Sequence, residues 1–171
     1  MALPDLSTGR ELDSDLLNSL PKGVVYQGNR TSVSSASTGT EISVLRLDGM
    51  TLLNGRTYEL KTGNIRPSMS VGTDKVKVNL KYNSAGTATT ASTEIGRWEG
   101  LAGIAAGAVV NSITPISGWV NPVADTAVGS LLFSFQRVAG TGSITINPDA
   151  GGLWLTVIDH GIVVADTGID L

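Results

Sequence analysis

The chain has 171 residues, a formal charge of −3 and no cysteine. A chain of this length can form one domain with a short appendage and bury about 70% of its unfolded surface, so it needs no disulfide or metal to hold a core. The absence of cysteine excludes disulfides and thiolate metal sites. Only 16% of the residues are charged, without the basic stripe that contacts phosphates, so we predict no nucleic-acid partner.

Residues 1–20 differ from the rest of the chain. Their leucines are spaced for one face of a short helix: Leu12, Leu16, Leu17 and Leu20. So short a helix cannot bury its leucines alone, and it must pack back on the domain or dock on a neighbour. We therefore predict an N-terminal anchoring arm with a brief helix. We expect no secretory signal, because the first residues lack a basic region and an apolar run.

Residues 21–171 are predicted to form one β domain. The early strands are predicted over residues 23–27, 41–47 and 56–62. Asp48-Gly49 predicts a turn at the end of the second of these strands. Asn54-Gly55 is the strongest hairpin signal in the chain, because both residues tolerate positive φ. In the strand after it, Tyr58 and Leu60 are expected to face inward.

The clearest strand runs over residues 75–82, where apolar and polar side chains alternate without a break. Successive side chains of a strand point to opposite sides, so one face is buried and the other meets solvent or a partner. The inward set is Val76, Val78, Leu80 and Tyr82, and the outward set is Lys75, Lys77, Asn79 and Lys81. The pattern is typical of an antiparallel sheet that covers a core on one side only.

The next segments are a short predicted strand over residues 94–98 and an uncharged stretch over 101–124. Polar residues and prolines interrupt the uncharged stretch. Its continuous apolar part, 101–110, is about half the roughly 20 residues that a membrane span needs. We therefore predict a segment buried against protein, and no membrane partner.

The C-terminal strands are predicted over residues 130–138, 142–147 and 152–159, with a short last one at 162–165. The strand over 152–159 is apolar on both faces: Leu153, Leu155 and Val157 on one side, Trp154 and Ile158 on the other. The outer face of a sandwich sheet normally meets water. Trp154 and Ile158 therefore predict a contact with another subunit, or cover by the arm or a loop. Together, about eight to ten strands predict an all-β antiparallel sandwich or jelly roll.

Few residues point to catalysis or to a cofactor. Residues 163–168 match the Asp-Thr-Gly string of aspartic proteases, whose chemistry needs two such aspartates sharing one proton. His160 is the only histidine, and no metal-ligand cluster appears. We predict no enzyme activity, catalytic residue, cofactor or metal site, and leave open a calcium site built from two loops. Trp98 or Trp119 could stack a sugar, although tryptophans more often serve packing.

Four strings in the domain resemble small virion proteins of tailed phages that infect actinobacteria, of the head-decoration or minor tail type. They are LPKGVV (20–25), TEISVLRL (40–47), LNGRTYEL (53–60) and LWLTVIDHG (153–161). The resemblance covers most of residues 20–171, and its motifs form strands, so no functional residue is carried over. The Gly-Arg-x-Tyr-x-Leu strand at 55–60 is also similar to strands of trimeric jelly rolls of the tumour-necrosis-factor and complement type.

These resemblances imply a homotrimer made in the host cytoplasm and placed on a virion, on the head more than on the tail. We therefore predict a capsid decoration protein that binds the major capsid protein or other virion proteins. Leu12, Leu16 and Leu17 are predicted to dock on the capsid, and Trp154 and Ile158 to form the trimer contact. The alternative is a minor tail protein, or a receptor- or glycan-binding tail module. That alternative predicts an exposed aromatic platform at the loop end of the sandwich, formed from Trp98 or Trp119.

Overall fold

The computed structural model describes residues 20–101, 113, 115–148 and 152–162. Within these ranges the chain forms ten strands and no helix. The strands are β1 (Gly23–Arg30), β2 (Ile42–Leu52), β3 (Arg56–Thr62), β4 (Arg66–Met69), β5 (Lys75–Asn83), β6 (Thr93–Leu101), β7 (Ser117–Val120), β8 (Thr126–Ala139), β9 (Ile144–Asn147) and β10 (Leu153–Ile162).

Eight of these strands build two four-stranded antiparallel sheets. The strand order is β1-β10-β3-β7 in the first sheet and β2-β8-β5-β6 in the second, while β4 and β9 pair as a short ribbon. Both sheets contribute to one hydrophobic core, for example Leu60 and Leu155 from the first, and Val78 and Phe133 from the second. Truncating a buried aromatic such as Phe133 to alanine typically costs about 3–5 kcal/mol. The prediction of an all-β chain with antiparallel sheets is confirmed.

Two glycines let the edge strands β6 and β7 approach each other closely. A Cβ atom at Gly96 would lie 2.8 Å from the carbonyl oxygen of Ser117, and one at Gly118 would collide with the carbonyl oxygen of Ile95. Only glycine allows backbones to come this near. The two sheets therefore meet along this side without intervening side chains.

The predicted strand over residues 56–62 is confirmed as β3, with Tyr58 and Leu60 buried. The Asn54-Gly55 turn also forms, and Gly55 has a φ of 71°. However, it does not make a hairpin, because β2 pairs with β8 while β3 pairs with β10 and β7. This turn carries the chain from one sheet to the other, a change that local turn chemistry does not encode.

The turn predicted at Asp48-Gly49 is wrong, because β2 runs through both residues. Gly49 has a φ of 69°, and the pairing of β2 with β8 shifts register between Leu47 and Met50. The glycine therefore supports a bulge within a long strand. β7 was not predicted as a strand at all.

The strand predicted over residues 75–82 is β5, and its apolar side chains are buried as expected. Its polar face is not uniformly wet, however: Asn79 is fully buried and Lys81 is 7% exposed. Glu41 and the loop that carries Thr90 cover these two side chains and supply their partners. The expectation of a solvated lysine face holds only at the start of the strand, where Lys75 is exposed and Lys77 is partly exposed.

The predicted arm lies outside the described residues except for Leu20. Its brief helix, and the docking roles of Leu12, Leu16 and Leu17, stay predictions. The uncharged stretch is described at 101, 113 and 115–124. Ile113 and Ile116 are buried as predicted, whereas Trp119 and Val123 are 57% and 93% exposed. No described helix has the length and apolarity to cross a membrane.

Candidate functional site

The outer face of the first sheet carries the residues that were predicted to contact another subunit. Leu153, Leu155 and Val157 of β10 point into the core and are at most 1% exposed. The alternation of the strand then places Trp154 and Ile158 on the opposite side, where both are half-buried. The predicted inward and outward sets of this strand are thus confirmed, while their role in a trimer stays a prediction.

One row of side chains crosses all four strands of this sheet. Ile158 pairs with Val24 on β1 and with Glu59 on β3, and Glu59 pairs with Trp119 on β7. At the usual strand spacing the row spans about 14 Å. Val24 and Trp119, at its two ends, are each 57% exposed. We call these four residues the exposed row.

Trp154 lies on the same face but is partly covered by its own chain. A Cβ atom at Gly63 would lie 3.3 Å from the Cβ atom and 3.2 Å from the Cδ1 atom of Trp154. The amide of Gly63 also donates to the carbonyl oxygen of Trp154, at 2.8 Å. The missing side chain of Gly63 therefore makes the space into which Trp154 settles, which accounts for its partial burial.

Polar groups surround Trp119. The ring of His160 lies 4.9 Å from that of Trp119, measured between centroids, at an interplanar angle of 48°. The Nε2 atom of His160 lies 3.3 Å from Oε2 of Glu59, and Nζ of Lys61 lies 3.6 Å from the same oxygen. Two nitrogen groups therefore fix the Glu59 carboxylate, whose side chain is 17% exposed. We call Trp119, Glu59, Lys61 and His160 the Trp119 platform.

A buried ion pair lies at the end of this sheet, where the described chain begins. Nε and Nη2 of Arg56 donate to Oδ2 and Oδ1 of Asp159, both at 2.8 Å, and the two side chains are 5% and 2% exposed. Such bidentate pairs are among the strongest charge-assisted contacts. Nη2 of Arg56 also donates to the carbonyl oxygen of Leu20, at 2.8 Å. The residue at the root of the predicted arm is thus tied to β3 and β10.

The second sheet carries its own polar cluster, on its outer face. Oε1 of Glu41 accepts hydrogen bonds from Ser134 at 2.5 Å and from Asn79 at 2.9 Å, and Lys81 lies 3.0 Å from the same oxygen. Burial raises the pKa of Glu41, but the three hydrogen bonds and the charge of Lys81 together lower it by more than burial raises it. The pKa of Glu41 therefore lies below the usual value. These partners thus stabilise the ionised form of Glu41, and Glu41 in turn accepts their hydrogen bonds.

No three metal-ligating side chains cluster within the described ranges. A cavity of about 400 Å³ lies where β7 leads into β8. Two of its polar lining groups already hold backbone amides: Asp125 accepts from Asn54 at 2.7 Å and Thr126 accepts from Leu52 at 2.9 Å. The Asp-Thr-Gly string falls outside the described residues.

Of the two tryptophans proposed for an aromatic platform, the structure exposes one. Trp98 is half-buried and packs against the core, whereas Trp119 is 57% exposed. Trp119 lies on a strand of the sheet face and not at a loop end. The sequence analysis missed Glu59 and Lys61 as its neighbours, because their meeting depends on the register of β3 against β7. It also missed the Arg56–Asp159 pair, which joins residues 103 positions apart.

Comparison with known proteins gives little further information. No family model matches the chain, and no curated protein matches it. Among solved structures, the chain is similar to a chain in the structure of infectious bursal disease virus, Gx strain, with 13% sequence identity and a TM-score of 0.30. The alignment covers 84% of this chain and 42% of that chain. At this TM-score the similarity is not evidence for a shared function.

Proposed function

We propose that this protein is a non-enzymatic structural component of a virion, most specifically a trimeric decoration protein that binds the surface of a phage head. The observation that carries the proposal is the exposed row. Its end residues Val24 and Trp119 are largely exposed, and Ile158 within the row and Trp154 on the same face are half-buried. Several exposed or half-buried apolar side chains on one sheet face are typical of a surface that meets another protein. The resemblance of the strand motifs to phage virion proteins supplies the biological setting.

We also infer that the two large sheets form a jelly roll. Their pairs are nested along the chain: β1 with β10, β2 with β8, β3 with β7, and β5 with β6. This nesting is what results when one long antiparallel hairpin is rolled into two facing sheets, as in double-sheet jelly rolls. In that arrangement β10 lies next to β1 and shows one face to the outside.

In the proposed trimer, Trp154 and Ile158 contact a neighbouring copy, and Leu12, Leu16 and Leu17 of the arm dock on the major capsid protein. The bond from Arg56 to the Leu20 carbonyl supports an anchoring role, because it fixes the chain where the arm begins. Three arms on one trimer bind with a high effective concentration. Binding to assembled capsid then stabilises it by mass action.

Removal of residues 1–19 tests the anchoring role. The shortened protein is expected to keep its fold and trimeric mass in sedimentation, and to lose binding to capsids that lack decoration. The matched control replaces Leu12, Leu16 and Leu17 with serine in the full-length chain, and is expected to lose binding equally. Full-strength capsid binding by the shortened trimer would refute the anchoring role, and a monomer at all concentrations would refute the trimer.

A place on the tail, as a minor tail protein or receptor-binding module, is the second candidate. The exposure of Trp119 favours it over a purely packed face, since that tryptophan lies among fixed polar groups. Immunogold labelling of intact particles, with head and tail scored separately, distinguishes the two locations.

A further inference from the structure

The Trp119 platform has features that neither a trimer contact nor a capsid contact requires. Trp119 is 57% exposed, although a large aromatic ring is usually well covered in a soluble protein. A single exposed apolar residue is ordinary, but this one adjoins a carboxylate, an ammonium group and an imidazole that contact one another. The combination of an open ring with fixed polar groups is characteristic of a ligand site more than of a dry interface.

The polar groups of the platform are held in place before any ligand arrives. Both His160 and Lys61 contact Oε2 of Glu59. Within the part of the chain that the structure describes, neither contacts Oε1, so this oxygen can accept a hydrogen bond from a ligand. The side chains of His160 and Lys61 remain 41% and 36% exposed, so Lys61 can donate outward and the second ring nitrogen of His160 can form a hydrogen bond with a ligand hydroxyl. Fixing these groups in advance reduces the conformational entropy that binding would otherwise lose.

The chemistry of the platform restricts what can bind there. The face of an indole is electron-rich, so it attracts weakly positive C–H groups. Glu59 and Lys61 carry opposite charges side by side, so the pair gives no net attraction for an anion or for a cation. A wholly apolar side chain would remove these charges from water without replacing their hydrogen bonds, which is unfavourable. A flat, neutral molecule with C–H groups on one face and hydroxyls around its rim can stack on Trp119 and form hydrogen bonds with the polar groups of the platform.

We propose that the Trp119 platform binds a pyranose ring of a neutral carbohydrate. One face of the sugar stacks on Trp119, one hydroxyl donates to Glu59, another accepts from Lys61, and a third forms a hydrogen bond with the ring nitrogen of His160 that does not face Glu59. The inference goes beyond the proposed structural role and does not depend on whether the protein is on the head or the tail. The surface is shallow, so a single sugar binds with a Kd on the order of 1 mM. Several copies on one particle multiply that weak affinity.

The test is saturation-transfer NMR on the full-length protein with glucose, galactose, mannose and N-acetylglucosamine as probes. Transfer to the ring protons of at least one sugar is expected. Trp119→Ala should weaken binding of that sugar by at least about tenfold, and Glu59→Gln by about tenfold, because a hydrogen bond to a charged group is lost. Trp154→Ala is the matched control. It removes a tryptophan from the same sheet face away from the platform, and should keep sugar binding.

Three results would overturn the inference: no transfer from any of the four sugars, unchanged binding in Trp119→Ala, or equal loss in Trp154→Ala. A fourth would reassign the platform. If Trp119→Ala lowers the oligomeric mass and no sugar binds, then the platform is a contact between copies. Sedimentation of the same variants therefore separates failure of this inference from failure of the proposed trimer, because Trp154→Ala should reduce trimer formation without changing sugar binding.

Discussion

The outer faces of the two large sheets differ in how far other parts of the chain cover them. On the second sheet, Asn79 and Lys81 are buried beneath Glu41 and the Thr90 loop. The side-chain nitrogens of both residues donate to Glu41 or to Thr90 within the chain. On the first sheet, Val24 and Trp119 are left open. Thus the buried part of the lysine-bearing face is covered by the chain, whereas Val24 and Trp119 on the other face are not, the reverse of what residue type alone suggests. A covered polar face contributes to folding, whereas an open apolar face is available to partners.

The most buried ion pairs that the structure describes on the two sheets differ in depth. Arg56 and Asp159 are 5% and 2% exposed, whereas Lys81 and Glu41 are 8% and 17% exposed. Breaking a buried pair by removing one partner leaves an uncompensated charge, and the cost rises with burial. The pair of the first sheet should therefore be the more sensitive of the two.

The largest expected effect is that of Arg56→Met. It leaves the Asp159 carboxylate buried without its bidentate partner, so the free energy of unfolding should fall by about 3–5 kcal/mol in urea titration. Arg97→Met is the control, because its pair with Glu99 is 3.5 Å long and about half exposed, and should contribute less than about 1 kcal/mol. Equal effects of the two substitutions would contradict the contrast in burial.

Glu41→Gln should have the next largest effect, lowering the free energy of unfolding by about 2–3 kcal/mol. The amide keeps the shape of the side chain but no longer balances Lys81, and one of its two polar atoms cannot accept. Glu99→Gln is the matched control on an exposed pair, with no measurable change expected. If Glu41→Gln is as mild as its control, then the polar cluster does not stabilise the covered face.

The pH dependence of stability should report the same cluster. The folded-state pKa of Glu41 lies below its ordinary value of 4.5, so its stabilising contribution is present above that value and is lost as pH falls through the folded pKa. Asp48 has a lowered pKa as well, chiefly from its hydrogen bond with Ser130, against a smaller raising effect of burial. Unfolding midpoints measured from about pH 7 down to about pH 3 should therefore decline, and Glu41→Gln should flatten the part of the decline that begins near 4.5.

The sequence was enough to predict an all-β chain and the inward residues of β3, β5 and β10, because period-two alternation is a local property. It was not enough for the outward faces. Whether Lys81 meets water depends on Glu41, 40 positions away, and on a loop that folds over it. Similarly, Asn54-Gly55 signalled a turn correctly, but the sheet to which the next strand belongs depends on tertiary packing.

The smallest expected effect on folding is that of Ile158→Thr, in the middle of the exposed row. Threonine keeps the branched shape that a strand favours, so the free energy of unfolding should change by less than about 1 kcal/mol. In contrast, sedimentation should show weaker self-association, because the proposed trimer loses apolar contact at its centre. A loss of stability as large as that of Glu41→Gln would mean that this face too is covered by the chain itself. Both outer faces would then be covered by the chain itself, and they would differ only in the residues that cover them. That result would contradict the proposed contact between copies.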